Sequence, residues 1–256
     1  MVSSQSVRVG NNTIFYVECC SEGKPWLLLH GLAGSSANWL KFMDLVEKKL
    51  DGIHLIAPDL LGHGESSAPK IKYSASLEAS IMSDFMVNLG YDRFSVIGNS
   101  LGGWIAMLLS LQGRVEAEIL VDSGGMRLPT VSSLDPKDLD EAMALLSKIF
   151  RASSWKTREV ASRLMSGRSG SKGYVLQSFL RSEERYLSWE DISRIEVPTL
   201  IVWGSEDGLI PLQLGRLLAS RIRGSKMIIL NGVGHEPMIE DPEGFFIAVS
   251  GWMKYS

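Results

Sequence analysis

A serine held between glycines at a strand-to-helix junction is a place where nucleophilic chemistry can be built. The stretch Val96-Ile97-Gly98-Asn99-Ser100-Leu101-Gly102-Gly103-Trp104 has that form, with the spacing G-x-S-x-G around Ser100. A sharp turn strains the backbone of its central residue, and a Cβ two positions before or after it would be crowded, so glycine suits both places. The plainer reading is a tight glycine-rich turn with an incidental serine. A hydroxyl is a weak nucleophile at neutral pH and needs a general base oriented by a third group.

The chain has four histidines, so the base can be sought by elimination. His54 lies inside the apolar run IHLIAPD and reads as a packed strand residue. His63, in DLLGHGESS, reads as a loop residue, and His30, before Gly31, reads as one that shapes a loop. His235 follows the last apolar run, in the glycine-flanked loop NGVGHEPM, and is the favoured base. The acid should leave another strand end between Ser100 and His235. Asp207 in VWGSEDGLIP fits, Asp122 in LVDSGG is its rival, and Glu206 stands third. Asp207 is favoured over Asp122 from its motif rather than from its chemistry.

Acyl transfer also needs donors for the developing oxyanion. The Leu101 amide, at a helix start, has no intrahelical acceptor, and the dipole there favours negative charge. A second amide should come from a neighbouring loop, and in HGLAGSS the residue after His-Gly is Leu32. Trp39 and Trp104 lie close in sequence to these two loops and are candidates for the pocket wall. This chemistry calls for no metal and no cofactor.

These residues need elements to carry them. Short Ile/Leu/Val-rich runs alternate with helical patterns, which predicts a mostly parallel sheet covered by helices. A hairpin, SVRV and TIFYVECC around Gly10-Asn11-Asn12, opens the chain. WLLLH, IHLIAPD, FSVIGNS, AEILVDS, PTLIVWG and KMIILNG follow as strands without polar alternation, as expected of strands buried on both faces. Helices are predicted over 39–49, 77–89, 101–111, 212–221 and 242–252. In such sheets ligands bind beyond the carboxyl ends of the strands, where Ser100, Asp207 and His235 all fall. Residues 126–189 carry only helical patterns and a Ser/Gly-rich stretch, Ser166–Gly173. This predicts a helical cap inserted into a core made of 1–125 and 190–256.

Composition narrows the partners. The 256 residues are 45% hydrophobic and 21% charged, with a formal net charge of -3. That balance argues against nucleic acid, whose phosphates call for clustered Lys and Arg. No apolar run approaches the roughly 18 residues of a membrane span. The opening residues lack a secretory pattern, and the adjacent Cys19 and Cys20 read as packing, so a cytoplasmic, reduced protein is expected. A small-molecule substrate is the expected partner.

Taken together, HGLAGSSANW, DLLGHGESS, GNSLGGW, VPTLIVWGSEDGLIP and GVGHEPMIEDPEGF resemble the α/β-hydrolase superfamily across nearly the whole chain. The resemblance implies an eight-stranded, mostly parallel sheet with helices on both faces and a helical cap after the sixth strand. It carries the nucleophile to Ser100, the acid to Asp207, the base to His235 and the oxyanion amides to Leu32 and Leu101. Serine rather than aspartate at position 100 disfavours haloalkane dehalogenases and epoxide hydrolases. GNSLGG is similar to the carbon–carbon hydrolases of meta-cleavage products, but Glu236 follows His235 where those enzymes usually carry Trp, and their Gly-Pro oxyanion loop is missing. The match is closer to carboxylesterases and lipase-like members, which implies cleavage of small or medium carboxylic esters. A carbon–carbon hydrolase and a small-molecule receptor on the same scaffold are the alternatives. Within the cap, Met143, Leu146, Phe150, Trp155, Leu164, Tyr174, Phe179 and Tyr186 read mainly as packing. Arg163, Arg168, Arg181 and Arg185 read mainly as solvated, with binding of a substrate carboxylate as a minority idea.

Overall fold

The computed structural model describes residues 2–20, 22–127, 137–149, 171–182 and 184–255. The apolar runs become eight strands: β1 (Ser3–Val9), β2 (Asn12–Cys19), β3 (Lys24–Leu29), β4 (Ile53–Pro58), β5 (Phe94–Asn99), β6 (Val115–Val121), β7 (Thr199–Gly204) and β8 (Lys226–Leu230). They form one open sheet in the order β1-β2-β4-β3-β5-β6-β7-β8. The hairpin strands β1 and β2 pair antiparallel, as does β2 with β4, and every other pairing is parallel.

The interior strands alternate between two cores rather than between core and water. Leu27 and Leu29 of β3 join one apolar cluster, while Trp26 and Leu28 join the other. Helices α2 (Ala75–Asn88) and α3 (Leu101–Leu111) cover the first face, through residues such as Phe85, Ile105 and Leu109, and α7 (Leu212–Arg221) adds Leu214 and Leu218. Helices α1 (Leu40–Lys49) and α9 (Pro242–Tyr255) cover the second through Phe42, Met43, Val46, Phe245 and Val249. Burial on both faces explains the missing alternation in the sequence. The last strand departs from that expectation: β8 ends the sheet, and Met227 to Leu230 are only half-buried. The predicted helix over 39–49 begins with a separate 3-10 turn, Ser36–Trp39.

Between β6 and β7 the described elements are helical: α4 (Leu139–Ile149), α5 (Ser171–Leu180) and α6 (Trp189–Ser193). The α5 region is tied to the loop before α2. The Ser178 hydroxyl accepts the Tyr73 N–H at 2.8 Å, and the Glu184 carboxylate accepts the first amides of α2, Ala75 and Ser76, at 2.6 and 2.8 Å. Those amides have no intrahelical acceptors, and a carboxylate at a helix N-terminus opposes the dipole favourably. Phe150, Trp155, Arg163, Leu164, Arg168 and most of the Ser166–Gly173 stretch lie outside the described residues.

Register brings the active edge together. Leu29 lies opposite Gly98, Asn99 opposite Val121, Val121 opposite Val202, and Gly204 opposite Leu230. The loops that follow β3, β5, β6, β7 and β8 therefore emerge on one edge, and they carry His30, Ser100, Asp122, Asp207 and His235.

Candidate active site

Ser100 occupies the single residue between β5 and α3, with φ 55° and ψ −112°, a left-handed conformation that a side chain seldom adopts. Such a residue costs about 1–3 kcal/mol and persists only when its surroundings fix it. Its N–H donates to the Val121 carbonyl at 3.0 Å, and its own carbonyl accepts from Gly103, Trp104 and Gly124 at 3.0, 3.2 and 2.9 Å. The flanking glycines are required by close approach. A Cβ on Gly98 would sit 2.2 Å from the Gly102 carbonyl oxygen, and one on Gly102 would sit 2.2 Å from that of Leu29.

His235 follows β8 and is almost wholly buried. Its Nδ1 lies 2.7 Å from Asp207 Oδ2, and the Asp207 side chain is fully buried. The other Asp207 oxygen, Oδ1, accepts the Leu209 and Ile210 amides at 2.8 and 2.9 Å. Asp207 is thereby locked in orientation, and Nδ1 of His235 is committed to it, which leaves Nε2 as the open ring nitrogen. Burial pulls the His235 pKa down, but the Asp207 charge and hydrogen bond push it up. Glu236 and Glu240 add smaller pushes, and the net result is a value raised above the ordinary 6.5. The end of α4 fastens both loops: the Lys148 carbonyl accepts from Gly208 at 3.0 Å and the Ile149 carbonyl from His235 at 2.9 Å.

Asp122, the rival acid, lies in the same cluster. Single ligand-type atoms of Asp122, Asp207 and His235 fall within 4.8 Å of one another. Burial first, then the Asp207 charge, raises the Asp122 pKa well above its ordinary value, against the opposing hydrogen bond from the Gly204 amide at 2.9 Å. Two neighbouring buried carboxyls do not both ionise readily. Asp207 holds the imidazole and two amides, whereas Asp122 holds one amide, and its pKa is raised. This donor set suits proton handling better than a cation, because Asp207 and the Nδ1 of His235 are already spent on each other and on backbone amides. Glu206, the third candidate acid, is exposed.

Ser100, His235, Leu32 and Asn99 line one cavity of about 270 Å³, just under the roughly 300–1,000 Å³ typical of small-ligand pockets. Its walls are mostly apolar, with Leu145, Leu146 and Ile149 from α4, Leu176 from α5, Leu209 and Ile239. The loop after β3 presses on the serine turn: a Cβ on Gly31 would lie 3.2 Å from Asn99 Oδ1 and 3.3 Å from Ser100 Cβ. Leu32 lines the same cavity as Ser100, and Leu101 follows the serine as the first residue of α3. His30 holds this loop. Its Nδ1 lies 2.7 Å from the Gly31 carbonyl, and its Nε2 accepts the Leu60 N–H at 3.0 Å. The Asp59 carboxylate, at the start of DLLGHGESS, accepts the Ser36 and Glu65 amides, both at 2.7 Å.

Two expected wall residues lie elsewhere. Trp39 is fully buried in the other core, against Phe42 and Phe245, because the 3-10 turn directs it to the α1–α9 face. Trp104, one turn into α3, stacks on Tyr186 at 5.2 Å and does not line the cavity. Among the described residues of that apolar set in the cap, Leu146 lines it, and Tyr174 and Phe179 pack against the core. Arg185 pairs with Asp191 at 2.7 Å at the surface, and Arg181 is exposed; neither lines the cavity. His54 bridges Tyr91 and Glu18, each at 2.9 Å, as a packed strand residue would.

Two residues of the site have no role assigned from sequence. Asn99 Nδ2 donates to the His235 carbonyl at 2.9 Å, joining the serine turn to the histidine loop. Glu236 lines the cavity beside His235. The only sequence signal for either was adjacency to Ser100 and to His235.

An open, mostly parallel sheet with a strained serine at the β5–α3 turn, and a buried histidine–aspartate pair on the same edge, defines a class. Residues 26–249 match the model of the alpha/beta hydrolase family, and the chain belongs to that family. It is 29% identical over 259 residues to Lipase 3 of Moraxella sp. (strain TA144), a match that covers 93% of this chain and 80% of the lipase. It is 28% identical over 264 residues to a 2-hydroxy-6-oxo-6-(2'-aminophenyl)hexa-2,4-dienoic acid hydrolase of Metapseudomonas resinovorans, covering 97% of this chain and 90% of that enzyme. Among solved structures, a membrane phospholipase A described as a bacterial virulence factor superposes with a TM-score of 0.86 at 26% identity, over 100% of this chain and 87% of the other. Among the described residues, no helix is long and apolar enough to cross a membrane.

Proposed function

We propose that this chain is a cofactor-free serine hydrolase that cleaves small or medium carboxylic esters through an acyl-enzyme on Ser100. The observation that carries the reading is the buried 2.7 Å His235–Asp207 hydrogen bond at the wall of the cavity that Ser100 enters. The Ser100 hydroxyl oxygen attacks the ester carbonyl carbon, and His235 Nε2 takes its proton. Asp207 holds the imidazole in the tautomer with Nδ1–H and stabilises the imidazolium. The negative oxygen of the tetrahedral intermediate accepts from the Leu32 and Leu101 amides, and loss of one such donor costs about 10²–10³ in rate. The C–O bond then breaks, the departing alcohol takes the proton from His235, and Ser100 is left acylated. Water repeats the sequence, releasing the carboxylic acid and restoring the serine.

Residues 126–189 act as the cap over this edge, and 1–125 with 190–256 as the core. The cap supplies much of the apolar wall through α4 and α5. A modest, largely apolar cavity favours short and medium acyl groups. A carbon–carbon hydrolase using the same residues is the second reading, favoured by the 28% identical dienoic acid hydrolase.

The test is turnover of p-nitrophenyl esters of graded acyl length, alongside a meta-cleavage dienoate, by the native protein and by Ser100→Ala. The expected result is ester turnover that peaks at short or medium chains and is lost in Ser100→Ala with the fold intact. Undiminished turnover in Ser100→Ala, or faster cleavage of the dienoate than of any ester, contradicts the ester assignment.

A further inference from the structure

We propose that Glu236 selects substrate by charge, admitting neutral esters to this cavity and turning away esters that carry a carboxylate within reach of position 236. This rests on the ester reading and narrows its substrate class. Glu236 follows His235 directly and lines the same cavity as Ser100. Leu145, Ile149, Leu209 and Ile239 make much of the remaining lining apolar, with Asn38, Asn99, Ser100 and His235 as its other polar side chains. Only its backbone is held, by an N–H directed at Glu240 Oε1 at 3.4 Å. The half-buried carboxyl has no hydrogen-bond or ion-pair partner among the described residues, and no described Lys or Arg lines the cavity. An acid in a largely apolar wall, with no Lys or Arg beside it among the described residues, has two ways to meet a ligand. As a neutral carboxyl it donates a hydrogen bond to an uncharged oxygen, and as a carboxylate it repels another carboxylate in a poorly screened site.

Among the described residues, the charged groups acting on it are His235 and Glu240. Burial pushes its pKa up to about 7; the His235 charge pulls it down, and Glu240 on α8 (Pro237–Glu240) pushes it further up. The cavity-lining residues of α4, of α5 and of the loops after β3 and β7 carry no titratable side chain. Glu236 therefore changes charge near neutral pH, and discrimination against anions strengthens as pH rises. The same device weighs against dienoate substrates, whose carboxylate the wall would oppose, and so separates the two readings above.

The test compares a neutral amide, N-ethylhexanamide, with the mono-N-ethylamide of adipic acid, which has the same chain length and ends in a carboxylate. Binding is measured by calorimetry or ligand-observed NMR to Ser100→Ala and to Ser100→Ala with Glu236→Gln, at pH 6 and pH 8. In Ser100→Ala the neutral amide should bind at least about tenfold tighter at pH 8, with the ratio narrowing several-fold at pH 6. His235 also gains charge over this interval, so the decisive comparison is the glutamine variant. Glu236→Gln should bring the two ligands within about threefold of each other at pH 8. An unchanged ratio in Glu236→Gln, or no preference for the neutral amide in Ser100→Ala, overturns the proposal. Hydrolysis of ethyl hexanoate by the native protein is run in parallel. If that ester survives while the binding ratios follow the prediction, the reaction assignment falls and the charge selection stands.

Discussion

His30 and His235 are both buried, both follow a strand of the same sheet and both reach the same edge, yet they are built for opposite behaviour. His30 lies among backbone partners. Its Nε2 accepts from the Leu60 amide, which fixes the proton on Nδ1, and that proton points at the Gly31 carbonyl. Burial, only partly opposed by that carbonyl, drives its pKa down to about 4. His235 is equally buried, but its Nδ1 faces a carboxylate, and its pKa is raised. Burial does not decide which histidine can take a proton. The partner does, and the sheet supplies a carboxylate at one strand end and a backbone amide and carbonyl at the other.

Replacing the carboxylate should erase the difference. In Asp207→Asn, kcat for a p-nitrophenyl ester should fall about 10⁴-fold, as expected when the imidazole loses the acid that orients it. The His235 resonance in an NMR titration should shift to lower pKa, toward that of His30. The base must be neutral to accept the serine proton, so kcat/KM of the native protein should rise with pH through a value above 6.5. In Asp207→Asn, what activity remains should rise at lower pH. An Asp207→Asn variant with native rates would remove the basis of the comparison.

The reverse experiment strips His30 of its structural role. His30→Leu leaves the Leu60 amide buried without an acceptor, a loss of about 1–3 kcal/mol that denaturant unfolding would detect. Because the loop carrying Leu32 loses its tie, ester turnover should fall as well, but by far less than in Asp207→Asn. The smallest effect is expected at Asp122. Asp122 does not hold the imidazole, and Asp122→Asn keeps a side-chain oxygen for the Gly204 amide, so kcat/KM should stay within about tenfold of native. A loss there matching that of Asp207→Asn would make Asp122 the working acid.

Much of the frame could be read from residue order alone. The unbroken apolar runs of β3 to β7 mark strands covered on both faces, and each ends at a polar or glycine-rich loop that register then gathers onto one edge. Gly98 and Gly102 signalled a turn too tight for side chains, and the clashes that a Cβ would meet there explain why. What could not be read depends on direction rather than on type. Trp39 is near the Leu32 loop in sequence, but the 3-10 turn rotates it into the opposite core. Asn99 acts on a carbonyl 136 residues away, a pairing that no local pattern encodes. β8 has the composition of an interior strand, and only its place at the end of the sheet leaves it half-buried.

The central claim is that Ser100 is the nucleophile activated by His235 and Asp207. Its most direct measurement is intact-protein mass spectrometry with peptide mapping after brief exposure to a fluorophosphonate, comparing the native chain with Ser100→Ala and Asp207→Asn. One adduct per native chain is expected, located on the peptide containing Ser100, with none on Ser100→Ala and much slower labelling of Asp207→Asn. Labelling that persists in Ser100→Ala, or that maps to another residue in the native protein, would contradict the claim.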